Sequence, residues 1–454
     1  MDEYSATSRL AEYVTGLRYE QVPEAVIERI KQCLADFIGL VCIAKEQAES
    51  SGPVREAVCR LAGLEGEGTV IAHQRGFPYQ YAALLNGALA HTLDFDDTNV
   101  RGSLHPGAPV IPAALAMAER QGANGKDLLT AIAAGYEVCC RVGQALGLTA
   151  YNRGFHPTAI AGIFGATAAG SKILKFDTSQ TENAFGLSLS QAAGSMQYIE
   201  NGAWNKRLHP GLAAHNSILC LTMTECAVLG AAASIDGRYG LLTGYSNQPD
   251  AGSLTAGLGE EWVAAETAIK PYPSCRLTHG AVDGILDICR KEGVLPEKVL
   301  EVDISLAQKA FDIVGEPLSR KIEPRSVVDG QFSVYFQGAA AILERSVNWG
   351  SYEKLQDPMI KSLCRRIRVK VSPDLTGIAA EVVVKTDEGA YRRIIASPKG
   401  EPENPLTWVE VEEKFMKTAG YEFEIGKCRQ IFTSIQSLEQ LEDVREWIGG
   451  LRKK

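Results

Sequence analysis

Apolar residues recur at three- and four-residue spacing along most of the first 265 residues, a period that predicts helices. Pro23 stands where a first helical turn begins, ahead of the amphipathic run Ala25–Ile38. The same period continues at Tyr81–Ala90, Ile111–Arg120, Leu128–Leu146, Ala159–Leu174, Thr181–Ala193 and Ala213–Leu229. Gly and Ala fill many of the apolar positions, as in Gly162-Ile-Phe-Gly165-Ala-Thr-Ala-Ala-Gly170. Small side chains let helix backbones approach closely, so this region reads as a dense helical bundle. The three glycines lack the spacing of a dinucleotide loop and no strand precedes them, which assigns them to packing.

The pattern changes after Lys270-Pro-Tyr-Pro273. A helical stretch, His279–Glu292, is followed by alternating β-type runs at Val299–Ala307, Arg366–Val371, Ala380–Thr386 and Arg392–Ala396, with a further helix at Phe332–Leu343. Asp387-Glu-Gly389 between the last two runs is a hairpin signal. Thr407–Ala419 and Leu438–Leu451 then return to the helical period. The expected fold class is mainly α with an α+β insert: a large all-helical domain from residues 1–266 and 405–454, and a smaller α+β domain from 267–404.

Composition narrows the function classes. With 454 residues, 45% hydrophobic and 22% charged, the chain is an ordinary globular protein large enough for two cores. A net charge of −9 argues against a nucleic-acid partner. The eleven cysteines are an odd number without a CxxC pair and sit mostly in apolar helical runs, the pattern of reduced thiols in a cytoplasmic protein. The opening Met1-Asp-Glu-Tyr-Ser has neither a basic start nor a long apolar stretch, so no signal peptide and no membrane span is expected.

Three histidines are each followed by proline: His105-Pro106, His156-Pro157 and His209-Pro210. Seven histidines and 19 prolines in 454 residues would meet by chance less than once. Proline favours the first helical turn, so each imidazole is expected at a helix mouth, where free N–H groups attract anions. Histidine there can donate to an oxyanion and move a proton. Other polar groups cluster at Asp94-Phe-Asp96-Asp97-Thr98, Tyr151-Asn-Arg153, Lys206-Arg207, Lys270-Pro-Tyr272-Pro-Ser-Cys-Arg276-Leu-Thr-His279 and Arg325–Tyr335. Alternatives stay open at several of them. Asp94 reads as a partner of His105 or Thr98, and Asp96 and Asp97 as structural carboxylates at a helix end. His91 and His215 read as core histidines, and His73 as structural. His209 is a cap or a pocket residue, and Tyr151 lines a pocket or packs beneath one. No HxH or HExxH spacing appears, so no metal is expected.

The runs NGALAHTLDFDDT, LHPGAPVIPAALA, GFHPTAIAGIFGATAAG, KRLHPGLAA and KPYPSCRLTHGAVD resemble the MmgE/PrpD family, over about residues 5 to 450. That family includes 2-methylcitrate dehydratases, cis-aconitate decarboxylases and iminodisuccinate epimerases. The resemblance implies a helical domain built from both chain ends, a smaller α+β lid, a homodimer, no cofactor, and proton chemistry on a di- or tricarboxylate. The family's active-site motifs fall on Asp94, Thr98, His105, His156, Lys206 and His279, and Tyr151 matches the tyrosine of the epimerase branch. The decarboxylase branch has a lid tyrosine that aligns with Phe336, a departure that weakens a decarboxylase assignment. Together with the residue reading, this assigns catalysis to His105, His156, Lys206, Tyr151 and Asp94. Substrate binding falls to Thr98, Arg276, His279, Lys270 and His209. The expected activity is that of a lyase, with epimerisation of an aminodicarboxylate or carboxylate binding without turnover as alternatives.

Overall fold

A computed structural model describes residues 5–63 and 65–453. Residues Met1–Tyr4, part of the opening read above for a signal peptide, lie outside the described residues. The chain divides into two compact units, Met1–Ile269 with Thr407–Lys454, and Lys270–Leu406.

The first unit is built around α1 (Ala6–Gly16), α2 (Glu24–Gln47), α3 (Ser51–Ala62), α4 (Tyr79–Thr92), α5 (Gly107–Gln121), α6 (Gly125–Asn152), α7 (Pro157–Ile160), α8 (Gly162–Ile173), α9 (Thr178–Leu189) and α10 (Asn205–Glu225). Small residues set the spacing at its centre. A Cβ on Gly135 of α6 would fall 2.7 Å from the Gly165 carbonyl of α8, and one on Gly165 would fall 2.6 Å from the Gly135 carbonyl. The same closeness joins α4 and α10, where a Cβ on Gly211 would lie 2.3 Å from the Leu84 carbonyl. Thr407 and Glu410 form a capping box that starts the helix Trp408–Ala419. This helix lies along α2, tied by the buried ion pair Lys414–Asp36 at 2.6 Å.

Three elements differ from the sequence reading. The expected helix Ala213–Leu229 begins earlier, at Asn205, with Pro210 inside it; proline removes only the hydrogen bond that its own N–H would make. The run Ala159–Leu174 is divided into α7 and α8 by a turn at Ala161. The expected helix Leu438–Leu451 is a 3-10 turn, Leu438–Gln440, and a short helix, Arg445–Gly449. Between them the backbone pairs elsewhere, through Gly125 N–H to Leu441 O (2.8 Å) and Val444 N–H to Ala123 O (2.9 Å). Within α6 the helical dihedrals are interrupted at Gly147, at φ 60°, just past the end expected at Leu146.

A two-stranded pair in the first unit, β1 (Thr98–Asn99) and β2 (Thr267–Ala268), is antiparallel. The second unit holds a four-stranded sheet of β3 (Val299–Leu306), β4 (Ile367–Val371), β5 (Ala380–Thr386) and β6 (Ala390–Ile395), ordered β4-β3-β5-β6, with only β3 and β4 parallel. Thr386 N–H to Gly389 O at 2.8 Å closes the β5–β6 hairpin. Ile285 and Leu286 of the helix His279–Lys291 share a core with Phe336 and Ala340 of the helix Val334–Glu344 and with Val302, Ile304, Val382 and Val384 of the sheet. Among the described residues no helix is long and apolar enough to cross a membrane, and all eleven cysteines are free thiols, most of them buried.

Gly135→Ala should lower the thermal unfolding midpoint, at a cost of about 1–3 kcal/mol, because its methyl would meet Val110 and the Gly165 carbonyl in a packed interior. Gly426→Ala, in the helix Ile425–Gln436 with nothing near its missing Cβ, should be neutral or stabilising. Equal midpoints for the two variants would show that the α6–α8 spacing is not set by Gly135.

Candidate active site

The close approach of α4 and α10 collects the polar groups of the first unit. Gly87 on α4 would place a Cβ 3.0 Å from Gly211 Cα on α10. One helical turn beyond Gly87 stands His91; just before Gly211 stand Lys206 and His209. The chain then leaves α4 with Asp94 in the left-handed region, at φ 53°, a conformation that aspartate tolerates better than most residues. That turn aims the Asp94 carboxylate at Lys206, Oδ1 to Nζ 2.9 Å. The sequence reading paired Asp94 with His105 or Thr98; the structure pairs it with the cation Lys206.

Asp96, read as a structural carboxylate, lies between two imidazoles. It accepts from His91 Nδ1 at 2.7 Å, and its other oxygen lies 3.2 Å from His105 Nδ1, a contact of charge without hydrogen-bond alignment. Burial alone would raise the Asp96 carboxyl, but His105 and His91 hold it well below its ordinary value. His91, read as a core histidine, is buried as expected and also faces the cluster: its ring centroid is 4.7 Å from that of His105 and 5.7 Å from that of His156. The signal in the sequence was its place one turn after a glycine on a helix ending in carboxylates.

His156 and His209 form a second pair, Nδ1 to Nδ1 3.1 Å, both buried. The backbone N–H of His156 donates to Gly194 O at 2.8 Å, which fixes its loop. Gly194 permits the approach, since a Cβ there would lie 2.5 Å from Ala159 Cβ. Tyr198, which the sequence reading missed, stands edge-on to His209, with ring centroids 5.9 Å apart. Burial raises its hydroxyl to about 12. Burial also drives His156 well below the ordinary histidine value, aided by His91 and Lys206, and drives His209 and His91 to about 4. With both rings of the pair neutral, one Nδ1–H donates to the other Nδ1, leaving one Nε2 as acceptor and the other as donor. The pair therefore offers a hydrogen-bond acceptor and a hydrogen-bond donor side by side. Lys206 keeps its charge: burial opposes it, but Asp94 and Tyr198 outweigh burial and raise its pKa.

The helix-mouth expectation holds for His105 and His156 and fails for His209. His105 does precede α5, but the Gly107 N–H at that mouth donates to Asp97 Oδ1 at 3.0 Å. Asp97 also takes the Tyr136 hydroxyl at 2.6 Å, and burial brings its carboxyl up to about 7. His156 caps a helix of only four residues, α7, and His209 lies within α10. The histidines are gathered by packing, not by helix dipoles. His105 N–H is held by Thr158 Oγ1 at 3.1 Å. Thr98, on β1, is buried, and its hydroxyl has no hydrogen-bond partner among the described residues. Tyr151 stands in the last turn of α6 and is 38% exposed.

The remaining candidates lie in the second unit. Lys270 is buried. His279 opens the helix His279–Lys291, with its ring 5.2 Å from that of Tyr272. Arg276 is clamped by the carboxylate of Glu401 through two of its nitrogens. Phe336 is buried and stacks on Tyr352 at 5.5 Å, and Tyr335 is buried in the same core.

One ligand atom each from His91, Asp96 and His105 lies within 4.8 Å of the others, a set able to hold a metal ion that the linear spacing did not reveal. The positive charge of Lys206, felt at His91, works against a cation there.

Known proteins share this arrangement of chain. Residues 8–253 match the MmgE/PrpD N-terminal domain and residues 272–440 the MmgE/PrpD C-terminal domain. Cis-aconitate decarboxylase-like protein oryM of Aspergillus oryzae is 27% identical, covering 98% of this chain and 97% of its own. The cis-aconitate decarboxylases of Aspergillus terreus and Homo sapiens are 24% and 25% identical, over 96% and 97% of this chain and 94% and 93% of theirs. Both domain matches and the full-length coverage give one conclusion: the chain belongs to the MmgE/PrpD family.

Proposed function

We propose that the chain is a lyase that moves a proton at carbon beside a carboxylate of a di- or tricarboxylic acid, using its own side chains and no cofactor. The observation that supports this best is the neutral His156–His209 pair, which presents an acceptor and a donor close to the charged Lys206. Removing a proton next to a carboxylate builds a second negative charge on it, which must be stabilised where it forms. Lys206 supplies the cation and the Thr98 hydroxyl a donor. His105, oriented by Asp96, supplies the second proton-transfer group.

Decarboxylation is the first reaction to assay, because relatives along the whole chain bear that name. In it the bond to one carboxylate breaks, CO2 leaves, the electron pair shifts through the double bond, and a histidine delivers a proton to carbon. In dehydration a histidine takes the proton and a second one protonates the departing β-hydroxyl as water. Phe336, where the decarboxylase branch carries tyrosine, and Tyr151 favour a second reading, in which the proton returns to the opposite face of an aminodicarboxylate. The role of His279 rests on motif resemblance, and those of Lys270 and Arg276 on their place in the same proline-bracketed segment. A homodimer in the reducing cytoplasm is part of the same proposal. Turnover of cis-aconitate, 2-methylcitrate, citrate and iminodisuccinate by the purified protein decides among these. Tight binding of all four with turnover of none would leave a carboxylate-binding protein.

His156→Ala should keep the fold and lower kcat by on the order of 10²–10⁴; near-normal turnover would make this histidine a structural cap. Asp96→Asn should lower kcat by on the order of 10²–10⁴ with little change in KM, since it leaves His105 in place without its orienting charge. A rise in KM alone would assign Asp96 to the substrate. Exhaustive treatment with EDTA should leave activity intact; loss restored by one divalent ion would turn His91, Asp96 and His105 into metal ligands.

A further inference from the structure

Outside the histidine cluster, a cavity of about 160 Å³ opens among α2, α3, α4 and the start of α10. Its wall carries Lys45, Arg55, Arg207 and His73 against the single carboxylate of Glu46. Lys45 is spoken for, since Glu422 and Glu46 both bind it. The two arginines are not. Among the described residues neither has a carboxylate within salt-bridge distance; Arg207 donates only to the Ser50 hydroxyl at 3.2 Å and lies over the Trp204 ring at 5.9 Å. Burial lowers the pKa of Arg207 and the charge of Glu49 opposes that, without bonding it; a guanidinium not bonded to an anion beside a cavity favours one that arrives from solution.

Two further observations point the same way. Ser50 is the N-cap of the twelve-residue α3 but makes no side-chain cap, and its hydroxyl accepts from Arg207. In the first turn of α3, Ser51 N–H donates to Ala48 O at 3.0 Å and Pro53 has no N–H, which leaves the N–H of Gly52 for a ligand at this wall. His73 is 8% exposed and ties Nδ1 to the Ile71 carbonyl at 3.0 Å, while its Nε2 has no hydrogen-bond partner among the described residues. A ring nitrogen with nothing to bind, on a mostly buried side chain that lines a cavity, is a place left for a ligand atom. Burial, with Lys45 and Arg55, depresses the basicity of His73, against a weaker pull from Glu422, as a site of positive potential would.

We propose that this cavity is a second anion site, which takes a small oxyanion, phosphate or a short carboxylate, on Arg55, Arg207, His73 and the first turn of α3. The site goes beyond the proposed reaction, and the chain connects the two. Arg207 follows Lys206, which faces Asp94, and Thr92 on the cavity wall follows His91. A ligand that draws Arg207 from Ser50 therefore shifts the residue next to the catalytic cation, so that occupancy changes turnover.

The test is calorimetric titration of inorganic phosphate, and separately of acetate, into the wild-type protein, Lys206→Ala, Arg55→Gln and Arg207→Gln, each checked for an unchanged circular dichroism spectrum. Arg55 is exposed, so its variant should fold even if that of Arg207 does not. We expect wild type and Lys206→Ala to bind equally, and each arginine variant to bind at least tenfold more weakly. Whichever of the two ions binds more tightly identifies the chemistry of the occupant. Binding lost in Lys206→Ala but kept in Arg55→Gln would place the anion among the histidines and overturn the proposal, as would no binding at all. The result reads out without turnover, so failure of the proposed reaction leaves this test standing.

Discussion

The first unit depends on how closely α4 and α10 approach at Gly87 and Gly211. Neither glycine can gain a Cβ without meeting the backbone or Cα of the facing helix. Close-packed interiors transmit such a constraint, since no void exists to absorb a shift. Because His91, Lys206 and His209 ride on these two helices within about a turn of the contact, the spacing of the backbones is also the spacing of the chemistry. The α6–α8 contact at Gly135 and Gly165 supports this from behind, holding α8 against the helix that precedes His156.

The electrostatics follow from that packing. Four imidazoles in a small buried volume cannot all be charged, and burial together with Lys206 holds His91, His156 and His209 neutral. Two carboxylates balance what charge remains, each committed to its own partners. Asp94 neutralises Lys206, and Asp96 serves His91 and His105. A third, Asp97, is turned away to cap α5 and receive Tyr136. Adjacent carboxylates thus perform different tasks because the left-handed turn at Asp94 and the short β1 strand send their side chains in different directions.

Helical periods and the hairpin signal placed most elements, because those patterns arise within a few residues and burial reinforces them. The misses were contextual. Pro210 looked like the start of a helix and lies inside one, and the segment before Arg445 had helical spacing but pairs its backbone with the loop at Ala123 and Gly125. Nothing local distinguishes those outcomes. His91 and Asp96 carried the same limitation: a histidine on an apolar helix face and a carboxylate at a helix end have ordinary structural uses, and only the fold shows that they touch.

By itself the sequence determined the helical character of the first unit, the strand-rich insert, and which residue types were available for moving protons, all properties of composition, period and adjacency. It also brought forward His105, His156 and Lys206 through motifs that stand apart from chance. Partnership was decided by tertiary structure alone: Asp94 with Lys206, Asp96 with two imidazoles, His156 with His209, and Arg207 with Ser50 instead of an acid. Those pairings join residues up to more than a hundred positions apart in the chain, and a pKa or a cavity exists only once the surrounding helices have removed water from them.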